Sequence, residues 1–407
     1  MICRYCNSDS LNEVIDLGFQ PHSNAYRETK HLSHEATFPL VVNVCEDCLL
    51  VQTVDSSSAE EHFSESYAYF SSVSTTWLEH CENFSKLAIT RFNLTSDDLV
   101  IEVACNDGGL LRFFRDNGVG TLGVEPTKST ADAARKLGLE IEGVFFGELE
   151  AQRLAAQYGK AALLVGNNVL AHVPDIGDFV RGVQEVLTDE GVVSFEFPHL
   201  MNMIEHCQFD TIYHEHYSYL SLLFVDRLFS DQGLRIFDVE EISTHGGSLR
   251  VFGCKKNAQH ELRPVVHKIL EREINLGLNT SRGFRTLKNN ARHIKFKLVE
   301  KLLDLKRENK TIVAYGAAAK GNTLLNYCGI KHDLIDYVCD AAQSKQGKFL
   351  PGSGIPVYPP ERMLDNPKPD VVLILPWNIE GEIKKIVTTA IGERVQFITA
   401  IPEVQCS

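Results

Sequence analysis

The run YHEHYSY at 213–219 places Tyr213, His214, Glu215, His216, Tyr217 and Tyr219 within seven positions. Three uses fit such a cluster of proton-handling groups. His214 and His216 form an H-x-H, which on a strand sets both rings on one side, as in cupin metal sites. A base beside an orienting carboxylate would instead suit removal of a weakly acidic proton. Tyr and His also fill half-buried sheet edges without any chemistry, the simplest account of Tyr217 and Tyr219. Two cysteine pairs give a second signal. Cys3-x-x-Cys6 and Cys45-x-x-Cys48 each let two thiolates of a tight turn face one ion, and together they make a closed, structural four-sulfur zinc site. The 38 residues between the pairs must then form a small subdomain. A redox CxxC or unrelated buried thiols are the alternatives, and the seven other cysteines are scattered singly, as core residues are.

Two turns have ligand-binding texture. LVIEVA (99–104) sets Glu102 inside a strand and opens the turn ACNDGG, where Asn106, Asp107 and Gly108 leave room for backbone N–H groups to approach a ligand. Glu125 closes TLGVEP about 20 residues further on, where a carboxylate can hold both hydroxyls of a ribose. The dinucleotide pattern G-x-G-x-x-G is absent, since Ala104, Asn106 and Gly109 stand at its glycine positions. That turns the reading from nicotinamide or flavin toward S-adenosylmethionine (SAM), against a plain helix N-cap made by Asn and Asp. AYGAAAKGNT (314–323) is not a P-loop, because Lys320 precedes the second glycine and Asn322 holds the lysine position. Such a turn seats a diphosphate as readily as it packs a helix on a strand.

The elements that must position these groups fall into three regions. Residues 1–75 hold the cysteine pairs and few helix-like stretches. Residues 76–255 alternate strands (LVIEVA, TLGVEP, ALLVGNN, VVSFEF) with helices (LLRFFRDNG, STADAARKLG, IGDFVRGVQEVLTDEG), the pattern of a doubly wound parallel sheet. Residues 256–407 begin with a charged helical stretch containing KFKLVEKLLDLKREN and continue as a second α/β unit. The chain has 44% hydrophobic and 23% charged residues and a net charge of -14 without a charged tail, which argues against a nucleic-acid scaffold or a membrane-surface binder. MICRYCNSDS is no signal peptide and no run approaches a membrane span, so cytoplasm, with its thiols reduced, is expected. Nothing in the sequence sets an oligomeric state.

Taken together, the chain resembles the SAM-dependent sugar C-methyltransferases of nucleotide-sugar biosynthesis. The resemblance runs from Cys3 to the end and rests on the Cys3/Cys6 pair with CEDCLLVQ, YAYFSSVS (67–74), IEVACNDGGLL, GNNVLAHVPD, YHEHYSYLS, HGGSLRVF, GAAAKGNTLLNY and KQGKFLPGSGIPV. The family's turn commonly has Gly where Ala104 stands. The resemblance implies a zinc-binding N-terminal region, a Rossmann-like SAM domain with Asn168 among its cofactor residues, and a C-terminal Rossmann-like domain without cofactor. It also implies methylation of a ring carbon beside the ketone of a nucleotide-linked 4-ketosugar, most often thymidine-diphosphate (dTDP) linked, at C-3. By motif, His216 is then the base, with Tyr213 as a substrate donor or alternative base. Glu215 orients the sugar or tunes its neighbour, His172 steadies the enolate oxygen and Tyr67 reaches in from the first region. His214, Lys320 and Asn322 are expected to bind substrate, and His245 to be a loop residue. O- or N-methylation, or a non-catalytic nucleotide-sugar sensor, are the alternatives.

Overall fold

A computed structural model describes residues 2–28, 35–54, 70–73 and 75–407. Strands β1 (Leu11–Gln20), β2 (Phe38–Cys45) and β3 (Val51–Thr53) pair antiparallel, from Leu11↔Cys45 to Val44↔Val51. The two cysteine pairs flank this sheet in matching turns. Asn7 N–H bonds back to the Cys3 carbonyl and Leu49 N–H to that of Cys45, with Asn7 at φ 59° and Leu49 at φ 68°. A leucine in the left-handed region is costly and persists only where something else fixes the turn. The four sulfurs supply that constraint. They lie within 4.8 Å of one another, with Cys3–Cys48 and Cys6–Cys45 at 3.5 Å. Sulfurs ~2.3 Å from one zinc ion stand roughly 3.8 Å apart, so the cluster fits tetrahedral zinc.

The middle sheet follows from runs of apolar residues buried on both faces. Its strands are β4 (Leu99–Val103), β5 (Gly120–Val124), β6 (Ile141–Glu142), β7 (Ala161–Asn167) and β8 (Leu187–Pro198). The hairpin β10 (Leu234–Ile242) and β11 (Ser248–Lys255) completes it in the order β10-β11-β8-β7-β4-β5-β6. The first five strands are parallel, and β11 runs antiparallel to β8, so the expected parallel sheet carries an antiparallel edge. The expected helix through LTDEG ends at Val186 instead. Leu187 is fully buried opposite Ala161 of β7, and this pairing outweighs local helix propensity.

β9 (Ser218–Tyr219) does not join that sheet. It pairs with β3 at Val51↔Tyr219 and Gln52↔Ser218, making the N-terminal sheet four-stranded, β1-β2-β3-β9. The third sheet, β14-β13-β12-β15-β16-β17, is built from β12 (Ile312–Tyr315), β13 (Val338–Cys339), β14 (Val357–Tyr358), β15 (Val371–Ile374), β16 (Gln396–Thr399) and β17 (Gln405–Cys406). All its pairings are parallel except the last. The helix Arg285–Arg307 buries Leu287, Ile294, Leu298 and Leu302 at helical spacing against a core containing both Ile15 of β1 and Ala314 of β12. Cys3, Cys45 and Leu50 pack into the core of the middle sheet. The N-terminal region is thus wedged between the other two. No helix among the described residues is long and apolar enough to cross a membrane.

Metal analysis of the purified protein is expected to find one zinc per chain, held by the four cysteines. Cys48→Ser is expected to lose that zinc and lower the melting temperature by several degrees, since the sulfurs hold the strained Leu49 turn.

Candidate active site

The cofactor turn lies at the carboxyl end of β4. Ala104 (φ 55°), Asn106 (φ 51°) and Gly108 (φ 78°) all sit in the left-handed region, which coils the chain tightly before the helix Leu111–Asp116. Gly108 is required there, because a Cβ would stand 2.3 Å from Leu139 Cδ1. Glu125, directly after β5, accepts from Asn106 N–H and Thr127 N–H, both at 2.9 Å, and so locks the turn to the second strand. The 70–73 segment closes over it. Ser71 Oγ donates to Asp107 at 2.9 Å, Ser71 N–H to Asn106 Oδ1 at 3.0 Å, and Ser72 Oγ also reaches Asp107.

Among the described residues, no lysine or arginine is hydrogen-bonded to the acidic groups of this turn. Glu102 is buried, its Oε2 has no hydrogen-bond partner, and burial together with the charges of Glu125 and Asp107 pushes its carboxyl well above the usual range. Both amide atoms of Asn167, at the end of the neighbouring β7, are buried without a partner. Three acidic side chains and an unsatisfied amide around this turn fit SAM, which brings an ammonium and a sulfonium.

The Tyr213–Tyr219 run is a turn leading into β9. His216 N–H bonds back to the Tyr213 carbonyl at 2.9 Å, and the two rings lie 3.9 Å apart. The H-x-H rings therefore diverge, which removes the metal reading that needed both on one side. His214 packs edge-on against His22 at 5.1 Å and Phe38 at 6.0 Å, within the N-terminal region. His216 faces His172, which follows β7, with ring centroids 4.7 Å apart.

The tautomers follow from the partners. His216 Nδ1 lies 2.8 Å from the Thr211 carbonyl and His172 Nδ1 lies 2.8 Å from the Glu215 carbonyl. A carbonyl only accepts, so each Nδ1 carries the proton and each Nε2 a lone pair. Burial pulls the His172 pKa down to about 4, and burial plus the neighbouring His172 pull His216 well below its usual value. Both rings are neutral near pH 7. His216 thus presents a base at Nε2, whereas donation by His172 to an enolate oxygen would need the imidazolium that burial opposes.

Glu215 is 5% exposed and held by Asn24, whose amide nitrogen donates at 2.7 and 2.9 Å to its two oxygens. Burial raises its pKa to about 7. Tyr67 lies outside the described residues. Asn168, at φ 55°, contacts His245 Nε2 at 3.3 Å through its side-chain nitrogen. His245 sits in a loop as expected, yet enters the site. The residue keeps a solvent-exposed side, and desolvation by the surrounding protein, with the Lys320 charge, lowers its pKa to about 4.

The C-terminal turn repeats the cofactor turn's locking device. Asp340, directly after β13, accepts from Ala317 N–H at 2.7 Å and Ala342 N–H at 2.8 Å, as Glu125 does from Asn106 and Thr127. Here, however, the Ala317 carbonyl accepts from Lys345 Nζ at 2.8 Å and from the Tyr26 hydroxyl, so the chain's own side chains fill the turn. Asn322 is 1% exposed and donates to the Ser23 carbonyl at 2.6 Å, which ties the C-terminal unit to the N-terminal region. Lys320 instead extends toward the histidines, its ammonium 2.8 Å from Asn378 Oδ1 and 4.6 Å over the Trp377 ring.

Asn24, Asp210, Trp377 and the cluster of His80, Glu196 and Arg250 were not singled out from sequence. Glu196, 1% exposed at the end of β8, accepts from Arg250 Nε at 2.7 Å and contacts His80 Nε2 at 2.9 Å. An acidic residue inside the apolar run VVSFEF was the available signal, as was Asp210 beside the histidine run.

Comparison with known proteins agrees with this layout. A zinc binding domain description matches residues 3–63, a methyltransferase domain residues 77–239, and a C-methyltransferase C-terminal domain residues 243–402. The chain belongs to the C-methyltransferase family, as a SAM-dependent enzyme with a zinc-binding N-terminal domain. It is 34% identical over 402 residues to the C-methyltransferase NovU of Streptomyces niveus, covering 98% of this chain and 95% of that one. Among solved structures, the PH0226 protein of Pyrococcus horikoshii OT3 is 14% identical with a TM-score of 0.39, covering 46% of this chain and 95% of that one. The magnesium protoporphyrin IX methyltransferase of Synechocystis PCC 6803, solved with bound SAM, is 13% identical with a TM-score of 0.35, covering 44% and 79%.

Glu215 predicts a pH effect on stability. Its carboxyl titrates near 7 when folded and near 4.5 as an unburied group, so its favourable contribution is complete below pH 4.5 and lost as pH rises through 7. Glu215→Gln is expected to raise the melting temperature by several degrees at pH 8 and to match the wild type at pH 4, by calorimetry.

Proposed function

We propose that the enzyme methylates a ring carbon next to the ketone of a nucleotide-linked 4-ketosugar, with dTDP as the carrier and C-3 as the carbon. What supports the reading most is the buried, neutral His216, oriented through its Nδ1–H so that Nε2 offers a lone pair. A carbon–hydrogen bond beside a ketone is weakly acidic, and its removal needs such a base. Low polarity lowers the histidine's own basicity. It also favours the ion pair formed when imidazolium and enolate appear together, so the proton moves only when negative charge develops beside it.

The remaining residues take supporting roles. In this reading Tyr213, its ring tilted against that of His216, donates to the sugar. Glu215, fixed by Asn24, carries the backbone carbonyl that orients His172, and in this reading its carboxyl holds a sugar hydroxyl. When bound, SAM supplies an electrophilic methyl group. Glu102 and Asn167 would meet its charged end, and Glu125 its ribose. The carbon-methylation reading draws on the likeness to the C-methyltransferase NovU, and the nucleotide-sugar reading on the resemblance of the site motifs. Eleven cysteines, none paired with another in a disulfide among the described residues, suit the reduced cytoplasm.

The test is mass spectrometry of dTDP 4-ketosugars incubated with enzyme and SAM in deuterated water. One methyl gained with loss of the neighbouring ring hydrogen is expected, and His216→Ala should slow both by 10²–10⁴-fold with SAM affinity kept. Methyl transfer to oxygen or nitrogen, with the ring hydrogen retained, would defeat the proposal.

A further inference from the structure

The enolate that this chemistry requires places its charge on the ketone oxygen, and something must donate to that oxygen. Neither neighbouring histidine does so when neutral, since each Nδ1–H is committed to a backbone carbonyl. His245 Nε2 faces the amide nitrogen of Asn168 and acts there as an acceptor. A donor whose position is set by a different element can meet this need.

The C-terminal unit brings one. Lys320 lies in the first turn of the helix Ala319–Cys328, at the start of which a phosphate would ordinarily bind. In the turn before it, Asp340 accepts the Ala317 N–H, while Lys345 and Tyr26 cover the Ala317 carbonyl. Lys320 points elsewhere. Asn378 uses one of its three N–H donors, at 2.8 Å, and the Trp377 face holds the ammonium at 4.6 Å. Trp377 is itself fixed on the middle domain. Its indole N–H donates to buried Asp210 at 2.7 Å, and its ring lies so close to Gly246 that a Cβ there would stand 2.3 Å away. Asp210 precedes Thr211, whose carbonyl orients His216, and Gly246 follows His245. The charge is felt at both histidines, since Lys320 helps lower the pKa of each.

We propose that Lys320 is a catalytic residue of the methyl transfer, its ammonium donating to the ketone oxygen as the enolate forms, instead of seating the diphosphate. This rests on the carbon-methylation reading above. In the step, the ring-carbon proton passes to His216 Nε2 and the C–H electron pair becomes the enolate π bond. The oxygen gains the negative charge and takes a hydrogen bond from Lys320, which keeps its protons. The C-terminal unit then completes the active site of the middle one.

The test compares wild type, Lys320→Met and Lys320→Arg, using a dTDP-linked 4-keto-6-deoxy sugar in deuterated water. Deuterium incorporation without SAM, methyl transfer with SAM, and the affinities for dTDP and SAM are measured. Lys320→Met is expected to slow exchange and transfer alike by 10²–10³-fold, with both affinities within about twofold of wild type. Lys320→Arg should recover about tenfold or more. A Lys320→Met enzyme that exchanges at the wild-type rate but binds dTDP tenfold or more weakly would overturn the assignment and make Lys320 a diphosphate ligand. Absence of exchange in the wild type would refute the enolate reading itself, and this assignment with it. Should Lys320→Met not fold, Asn378→Ala, which releases the ammonium from its anchor, carries the same test. Slowed exchange with dTDP affinity kept supports the assignment, and unchanged exchange overturns it.

Discussion

A few backbone hydrogen bonds around residues 211–219 hold the site in register. The Thr211 carbonyl fixes the His216 tautomer, the Glu215 carbonyl fixes that of His172, and Thr53 binds the Tyr217 carbonyl through its N–H and the His216 carbonyl through its hydroxyl. None of these bonds is strong alone, at about 1 kcal/mol net each. Their worth lies in orientation, since a rotated imidazole would present N–H where a base is needed. The pairing of β3 with β9 anchors the far end of the turn, so the zinc-bound sheet acts on the chemistry through main-chain geometry.

The two α/β units share one device put to opposite uses. In each, a carboxylate just past the second strand accepts an N–H from the first turn and another two residues along its own chain. Around Glu125 the turn gathers acidic groups, with Glu102 and Asp107 beside it. Around Asp340, Lys345 and Tyr26 fill the space, and the helix beyond delivers a lysine and a neighbouring tryptophan toward the other unit. Asn322 and Tyr26 both bind the N-terminal region to this filled turn. The bonds that cover this turn are also those that make an interface.

Much of this was legible in the sequence because the signals are local. The cysteine spacing, the turn after LVIEVA and the carboxylate of TLGVEP each lie within short segments whose geometry follows from residue type. The chemistry of YHEHYSY was legible too, but not its shape: an H-x-H suggests a strand, whereas the chain turns and sends His214 to Phe38 and His216 to His172. Asn24 and Glu215 are 191 residues apart, and Trp377 and Asp210 are separated by 167. No spacing rule connects such pairs, because packing alone brings them together. The helix ending at Val186 instead of running through LTDEG has the same cause, with strand pairing deciding what propensity left open.

The shared strand has a consequence for synthesis. The cysteine turns and β1–β3 are complete once residue 53 has emerged, so the metal site can close early on a nascent chain. The outer edge of β3, with Val51 and Gln52, then offers unpaired N–H and C=O groups until Ser218 and Tyr219 arrive. At 5–20 residues per second that interval lasts on the order of ten seconds or more. The edge is only three residues long, which limits what else can pair with it while it waits. Covering it and setting the catalytic turn are the same event, so a chain that has finished its first sheet has also built the wall of its active site.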